Sequence, residues 1–506
     1  ASKLIQRIGR SGHSLGKTSK GYIISYDEED IFESAVVAKR TLHGELEPLR
    51  MHHKSLDVLA HQIMGFLIED YEIEPKKLYE IVKKAHPYHD LTEDEFKRVV
   101  NTLDNIRLIY KDAGKIKRRR RAFEYYFENL STIPDNKIYK VIDMTSNSFV
   151  GTLDENFVMA HGDVDSTFIV KGRPWRVVSV EDRKIMVEPS SSIESAVPSW
   201  EGEMIPVPFE VAQEVGKVRR LIAKHLETKD KKEVIVEMMK KYPIDKKTAS
   251  EMIRIIKKQI TNHPLPDDKT IVYEKFKDYT VINACFGSKI NQTVARHIAA
   301  LLSAEYGTFI QTDSSAYRII FKDVNVADIK KIIKEFKKED LESVLTKELS
   351  KSNVFKGRFL HVAKRFGVLS KYSQFTKINL DRLIDTYWKT PIFDETMNEL
   401  FIEKLDMEGA VEIFEKMKSG KIKQIESDKL SPIGKLGFSN KLRDIAKPDR
   451  PEAEIFKIFK ERLLGTKMRI ICLNCGKYAI SEYVKNITKD PRCPKCTSKL
   501  IGVTRK

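Results

Sequence analysis

Cysteine, tryptophan and long apolar runs are all scarce in this chain of 506 residues. Five cysteines are too few for a disulfide framework, and four of them fall in two CxxC pairs near the C-terminus, which in a reducing compartment argues for metal. The fifth, Cys285 in VINACFG, follows a β-rich run and is expected as a small buried side chain. No apolar run approaches the roughly 18 residues that span a bilayer, and the N-terminus lacks the apolar core of a signal peptide. A soluble cytoplasmic chain with no membrane partner is therefore expected. There is no internal repeat, and the run KIKRRRR stands alone as a biased tract.

What the chain does have is positive charge and enough apolar residues for several cores. Lysine and arginine number 90 against 73 acidic residues, a formal charge of +17, with 41% hydrophobic residues. Such a balance favours a polyanionic partner such as nucleic acid. The length allows three or four domains.

The patterning predicts a multidomain α/β and α+β protein. Residues 1–50 read as the last fragment of an α/β domain: a glycine-punctuated loop over 1–16, a strand over KGYIISY, and the helix DEEDIFESAVVAKRTL with Asp27 as N-cap. Residues 51–121 read as a winged helix, three short helices and a β-ribbon, with Thr92 and Glu95 forming a capping box. Short strands over 122–208 predict a small β-barrel. Residues 209–266 are helical and lysine-rich, stopped by Pro264 and Pro266. A mixed α+β region follows over 267–425, then a polar connector over 426–465 and a zinc ribbon over 466–506.

The ribbon carries the strongest local signal. CLNC, seventeen residues, then CPKC present Cys472, Cys475, Cys493 and Cys496 as two knuckles, and a tetrahedral Zn²⁺ needs four such donors. Four thiolates leave no open position for water, so the expected zinc is structural. A redox dithiol would need only one pair.

Cationic and aromatic residues supply the candidate nucleic-acid contacts. KIKRRRR falls on the expected wing, so Lys117, Arg118, Arg119, Arg120 and Arg121 are candidates for tracking phosphates, against the plain alternative of a solvated face. Trp175, on a barrel strand in GRPWRVV, and Trp200, in the loop VPSWEGEMIPVP, could stack on bases, although a tryptophan on a barrel strand is more often core. Trp388, in helical surroundings, is expected in the core.

The stretch QRIGRSGHSLGKT, Gln6 to Thr18, contains two overlapping phosphate motifs. A P-loop requires four residues between its glycines, and here Gly12 and Gly16 enclose three. No strand launches the loop and the segment after Thr18 reads as a strand, so the P-loop reading fails. QRIGRSGH instead resembles motif VI of superfamily 2 helicases, and its final histidine resembles the Lhr (large helicase-related) family. HHKSLDVLAHQI, YYFENLSTIPD, VGTLDENFV, GRPWRVVSV, PSWEGEMIPV, ACFGSKINQTVARHIAALLS, SNVFKGRFLHVAKRFG and TPIFDETMNEL resemble successive blocks of that family in order. The similarity runs to about residue 425, and the terminal ribbon is similar to an archaeal subgroup.

The resemblance implies an ATP-driven translocase that loads on single-stranded nucleic acid and unwinds duplex with 3′-to-5′ polarity. It implies that Arg10 is the arginine finger of a composite ATP·Mg²⁺ site, with Arg7 beside it and Gln6, Gly9 and His13 as supporting members. Many helicases carry a second arginine where this chain has His13. It also names 267–425 as the DEAD/H-associated region. The Walker motifs and the early DNA-contacting motifs are not in these residues, so ATP hydrolysis is expected only in combination with a part that supplies them. A non-catalytic nucleic-acid-binding or adaptor protein derived from such a helicase is the alternative.

Overall fold

The computed structural model describes residues 1–10, 19–25, 27–48, 51–133, 137–162, 164–170, 173–181, 183–190, 197–198, 205–373, 378–436, 464, 467–488 and 491–505. They fall into two compact units, Ala1–Phe438 and Ser439–Lys506.

The N-terminal segment differs from its expected loop and strand. SKLIQRIG forms the helix Ser2–Gly9, because Leu4, Ile5 and Ile8 repeat at helical spacing. Lys20–Ser25 has no regular structure, since it finds no partner strand among the described residues. Gly21 passes so close to Ile8 that a Cβ there would lie 2.6 Å from its side chain. The helix Glu28–Leu42 forms as expected: the Asp27 carboxylate accepts from the Glu29 and Asp30 N–H groups at 2.8 and 2.9 Å. Three acids in its first turn and Lys39 and Arg40 in its last complement the helix dipole. Its apolar face, Phe32, Ala35 and Val36, is buried.

The winged helix is present. Helices Leu56–Asp70, Pro75–Val82 and Glu93–Asn105 precede a hairpin of Ile109–Asp112 with Lys115–Arg118, and Glu72–Ile73 adds a third strand. Thr92 and Glu95 form the reciprocal capping box. Ala113 and Gly114 make the hairpin turn with φ of 47° and 77°, the double left-handed geometry that matches strand twist.

The expected barrel is a half-barrel sheet among the described residues. Its six strands lie in the order Ser148–Asp154, Ile138–Asp143, Lys184–Pro189, Arg173–Glu181, Thr167–Val170 and Val197–Pro198. The two outermost strands are not paired to each other, so the ring stays open. Alternate inward residues, Tyr139, Val141, Phe168, Val177, Ile185 and Val187, make its core.

Three helices follow, Phe209–Thr228, Lys231–Lys241 and Lys246–Ile260, capped by Asp230 and Asp245. They pack with helix Glu28–Leu42 in one apolar cluster that also holds Cys285, Tyr317 and Ile433. The mixed region is built on a five-stranded sheet in the order Thr312–Ser314, Arg318–Lys322, Tyr279–Asn283, Thr270–Phe276 and Lys423–Ser427. The last strand lies parallel to Thr270–Phe276, and helix Pro432–Leu436 follows it with Ile433 buried. The expected connector from 426 therefore begins inside a strand. Its sequence KQIES offers one apolar residue, and a distant partner supplies its hydrogen bonds. In the second unit, Lys467–Cys472 is the centre of a three-stranded antiparallel sheet with Ala479–Tyr483 and Ile501–Arg505.

Gly216 lies in the middle of helix Phe209–Thr228, where glycine costs about 1 kcal/mol relative to alanine. A Cβ there would lie 2.5 Å from the Asp268 nitrogen and 2.8 Å from the Asp267 carbonyl carbon. One turn on, Arg220 grips the Asp268 carboxylate with two bonds of 2.7 and 2.8 Å. Gly216→Ala is expected to lower the melting temperature despite its better helix propensity. A raised melting temperature would show that the close backbone approach is not a constraint.

Candidate functional sites: a cysteine cluster, an arginine face and a buried charge network

Two tight turns bring the four cysteines together. Gly476, at φ 63°, lets its N–H return to the Cys472 carbonyl at 3.0 Å, and Thr497, at φ 55°, does the same to Cys493 at 2.9 Å. The Sγ atoms of Cys472, Cys475, Cys493 and Cys496 all lie within 4.8 Å of one another. The Cys472–Cys496 and Cys475–Cys493 sulfurs are 3.6 and 3.7 Å apart. A tetrahedron with metal–sulfur bonds of about 2.3 Å has edges of about 3.8 Å, so the donor set fits a closed metal site. Backbone N–H groups aim at the sulfurs, Cys475 to Cys472 at 3.5 Å and Lys495 to Cys493 at 3.4 Å. The first of these pushes the Cys472 thiol down to about 6.

Helix Ser2–Gly9 organises the arginine segment. Gln6, Arg7 and Arg10, spaced three and four apart, share one exposed face, with Gly9 also exposed. Neither guanidinium has an ion-pair partner among the described residues. His13 lies outside the described residues, as does the whole near-miss P-loop turn from 11 to 18.

The following helix, Glu28–Leu42, is fixed to the sheet region by charge as well as by its apolar face. Arg318, 1% exposed, donates to the Glu29 carboxylate, at 3.1 Å through Nη1, and to the Ile433 carbonyl at 3.0 Å. Arg219, equally buried, stacks its guanidinium over the rings of Phe32 and Tyr317 and points Nη1 at the Cys285 sulfur, 3.6 Å away. Burial pushes that thiol up to about 11, which suits the expected packing role and not a nucleophile. Tyr317 donates to Glu33 at 3.2 Å, and burial raises the Glu33 carboxyl to about 7.

The basic run is only partly free. Lys117 pairs with Asp112 and Glu72 at 2.9 and 3.0 Å, and Arg118 lies over Tyr71 and Phe123. Arg119 donates to the Ile109 carbonyl at 2.9 Å, and Arg121 donates to the Ile106 and Gly367 carbonyls at 3.1 and 2.7 Å. Arg121 thus ties the wing to the mixed region. Arg120 is exposed, and its guanidinium has neither ion pair nor hydrogen bond among the described residues. The third helix of the winged helix, the groove-entering element in many readers, opens with Glu93, Asp94 and Glu95. It also sends Arg98 to Asp394 and to the Lys389 carbonyl. Arg98 is thereby engaged by the mixed region, while Glu93, Asp94, Lys97 and Asn101 on that helix stay exposed.

Trp175 is 8% exposed in the half-barrel core, its Nε1 donating to the Val170 carbonyl at 3.4 Å. Its ring is therefore placed for packing and not for stacking a base. Trp200 lies outside the described residues. Trp388 departs from its expected core position: it is 41% exposed and packs one face against Phe393.

A buried charge network escaped the sequence reading. Arg365 donates to Asp57 and to Glu399, while Arg358 reaches Glu399 at 2.9 Å and Glu403 at 3.0 Å. Glu395, 1% exposed, accepts from the Leu56 N–H at 2.8 Å and joins the winged helix to helix Pro391–Lys404. The visible signal was the i, i+4 spacing of Glu395 and Glu399, with Arg358 and Arg365 two turns apart on Asn353–Arg365. Desolvation first, and the Asp57 charge second, raise Glu395 to about 8.

These elements together define a helicase-related protein. The winged-helix domain of large helicase-related proteins matches residues 39–197, and the DEAD/H-associated domain matches residues 265–434. Across these two domains the chain is homologous to the C-terminal portion of Lhr helicases. It is 29% identical to the ATP-dependent helicase Lhr-Core of Methanocaldococcus jannaschii over 85% of this chain and 53% of that protein. Against the Lhr-Core of Sulfolobus acidocaldarius it is 28% identical over 83% and 51%. It thus spans about half the length of the curated relatives it matches. The solved structure of Mycobacterium smegmatis helicase Lhr bound to ssDNA and AMP-PNP shares the fold, with a TM-score of 0.62 and 22% identity over 85% of this chain and 54% of that one. No described helix is long and apolar enough to cross a membrane.

Because the folded pKa of Glu395 is raised above its unfolded value, its contribution to stability is complete below about pH 4.5 and is lost as pH rises through about 8. Glu395→Gln, which keeps an acceptor for Leu56 and cannot ionise, is expected to gain melting temperature relative to the parent between pH 5 and 8. A gain of about 2–4 °C or more is anticipated across that window. A difference that stays flat with pH would contradict a protonated Glu395.

Proposed function

We propose that this chain supplies the arginine finger and the nucleic-acid path of an ATP-dependent 3′-to-5′ helicase whose Walker motifs come from outside these 506 residues, on the same polypeptide or on another. The observation that carries the reading is the exposed face of helix Ser2–Gly9, where Gln6, Arg7 and Arg10 are presented together beside an anchored helix. Arg10 would reach the γ-phosphate of ATP·Mg²⁺, with Arg7 as second cation and Gln6, Gly9 and His13 shaping the segment. A cation placed where phosphoryl charge develops lowers the barrier, an effect worth about 10³- to 10⁵-fold in rate. The names of the relatives, ATP-dependent helicases, support the same activity.

Single-stranded nucleic acid would run along the wing and the half-barrel. Arg120 is the best placed member of the basic run, Arg118 and Arg119 add charge beside exposed aromatic rings, and Trp200 is the remaining stacking candidate. Lys117, Arg121 and Trp175 act as supports for that surface. The four cysteines hold one structural Zn²⁺.

Mixing the chain with a polypeptide that carries the Walker motifs is expected to give ATPase stimulated by nucleic acid, and Arg10→Ala to reduce it by about 10³-fold or more. Undiminished turnover in Arg10→Ala would sink the finger assignment. Tight, salt-sensitive binding of single strands with no ATPase in any combination would favour the adaptor alternative.

Metal analysis should return about one zinc per chain, and a strong chelator should abolish hydrogen-exchange protection in strands Lys467–Cys472 and Ile501–Arg505. Unchanged protection in metal-free protein would remove the structural role.

A further inference from the structure

Residues 231–260 form a second helix-turn-helix, behind which helix Phe209–Thr228 packs. Helix Lys231–Lys241 meets helix Lys246–Ile260 through the four residues 242–245, the connection length of nucleic-acid-reading helix pairs. Asp245 caps the second helix by accepting from the Thr248 N–H at 2.7 Å, and Tyr242 fills the corner, 2% exposed. The inner face of the second helix, Ala249, Met252, Ile253, Ile255 and Ile256, is buried in the core. Its outer face is not.

That outer face reads Lys247, Ser250, Arg254, Lys257, Lys258 and Thr261, a continuous stripe at helical spacing. Arg254 is engaged by Glu251 and Glu28, so it adds little free charge. The side-chain ammonium groups of Lys247, Lys257 and Lys258, all three residues being exposed, make no ion pair or hydrogen bond with any described residue. Lys257 and Lys258, with Lys231 from the first helix, border a concavity of about 290 Å³. At 1.5 Å per residue the stripe from Lys247 to Lys258 is roughly 17 Å long, enough to lie along a groove about 12 Å wide with phosphates on either side.

We propose that helix Lys246–Ile260 docks on the phosphate backbone of duplex nucleic acid, as a surface separate from the single-strand path and independent of ATP. Two observations favour duplex over single strand. The stripe holds no aromatic side chain on which a base could stack, whereas single-strand platforms depend on such rings. It is also rigid, because the same helix carries core residues on its other side. The third helix of the winged helix is less suited to this role, since it opens with three acids and its Arg98 is neutralised by Asp394.

The test compares a blunt labelled duplex with one of its own strands, using fluorescence anisotropy on the full chain across a salt series. Replacing Lys247, Lys257 and Lys258 together by alanine is expected to weaken duplex binding about tenfold or more and to lower the salt slope by about 3, leaving single-strand affinity within about twofold. The triple arginine variant is expected to retain duplex binding. Undiminished duplex affinity in the alanine variant would overturn the proposal, as would an equal loss on both ligands or failure of arginine to substitute. Parent protein that binds phosphatidylserine-containing vesicles and not duplex would overturn it too. The readouts need no ATP hydrolysis, so a failed finger assignment leaves them unaffected.

Discussion

A buried arginine holds the N-terminal segment to the rest of the first unit. Arg318 reaches from the second strand of the five-stranded sheet to the Glu29 carboxylate, 289 residues away in sequence, and to the Ile433 carbonyl, 115 residues away, joining three stretches of chain in one contact. A guanidinium is suited to this because it offers several donors in a fixed plane and stays charged when buried. Removing either partner would leave the other charge uncompensated in the interior, a loss of about 3–5 kcal/mol for pairs of this kind. The helix that follows the arginine-bearing face of residues 6–10 is thereby anchored to the DEAD/H-associated region.

The same device recurs at the other large seam. Asp57 on the winged helix, Arg365, Glu399, Arg358 and Glu403 form a chain of paired charges, and Arg121 adds a hydrogen bond to the Gly367 carbonyl. A wing tied in this way cannot swing freely on its linker. Its cations are divided between support and solvent, which leaves Arg120 as the exposed one without a partner among the described residues.

Much of this was legible in the sequence where the cause is local. Asp27, Thr92 with Glu95, and the two CxxC pairs act on residues two to four positions away, so their helices and turns follow from spacing alone. What depends on distant partners was not legible. KQIES became a strand because Thr270–Phe276, 150 residues earlier, offers hydrogen bonds. Lys117 lost its freedom to Glu72, which the run KIKRRRR cannot show. Helix Ser2–Gly9 was obscured by Gly9 and the glycines that follow it in sequence, and the open edge of the half-barrel by the regular rhythm of its strands. Trp388 misled because helical surroundings do not say which face is covered.

On the proposed function, this chain brings the arginine finger to an ATP site completed by other residues. The most direct measurement is a structure of the chain joined to its Walker-bearing part, with Mg²⁺ and a mimic of the phosphoryl-transfer transition state. The Arg10 guanidinium is expected at hydrogen-bond distance, about 2.9 Å, from the γ-phosphate position, with helix Glu28–Leu42 still held by Arg318. A γ-phosphate contacted by none of Gln6, Arg7 and Arg10, with that face turned to solvent, would contradict it.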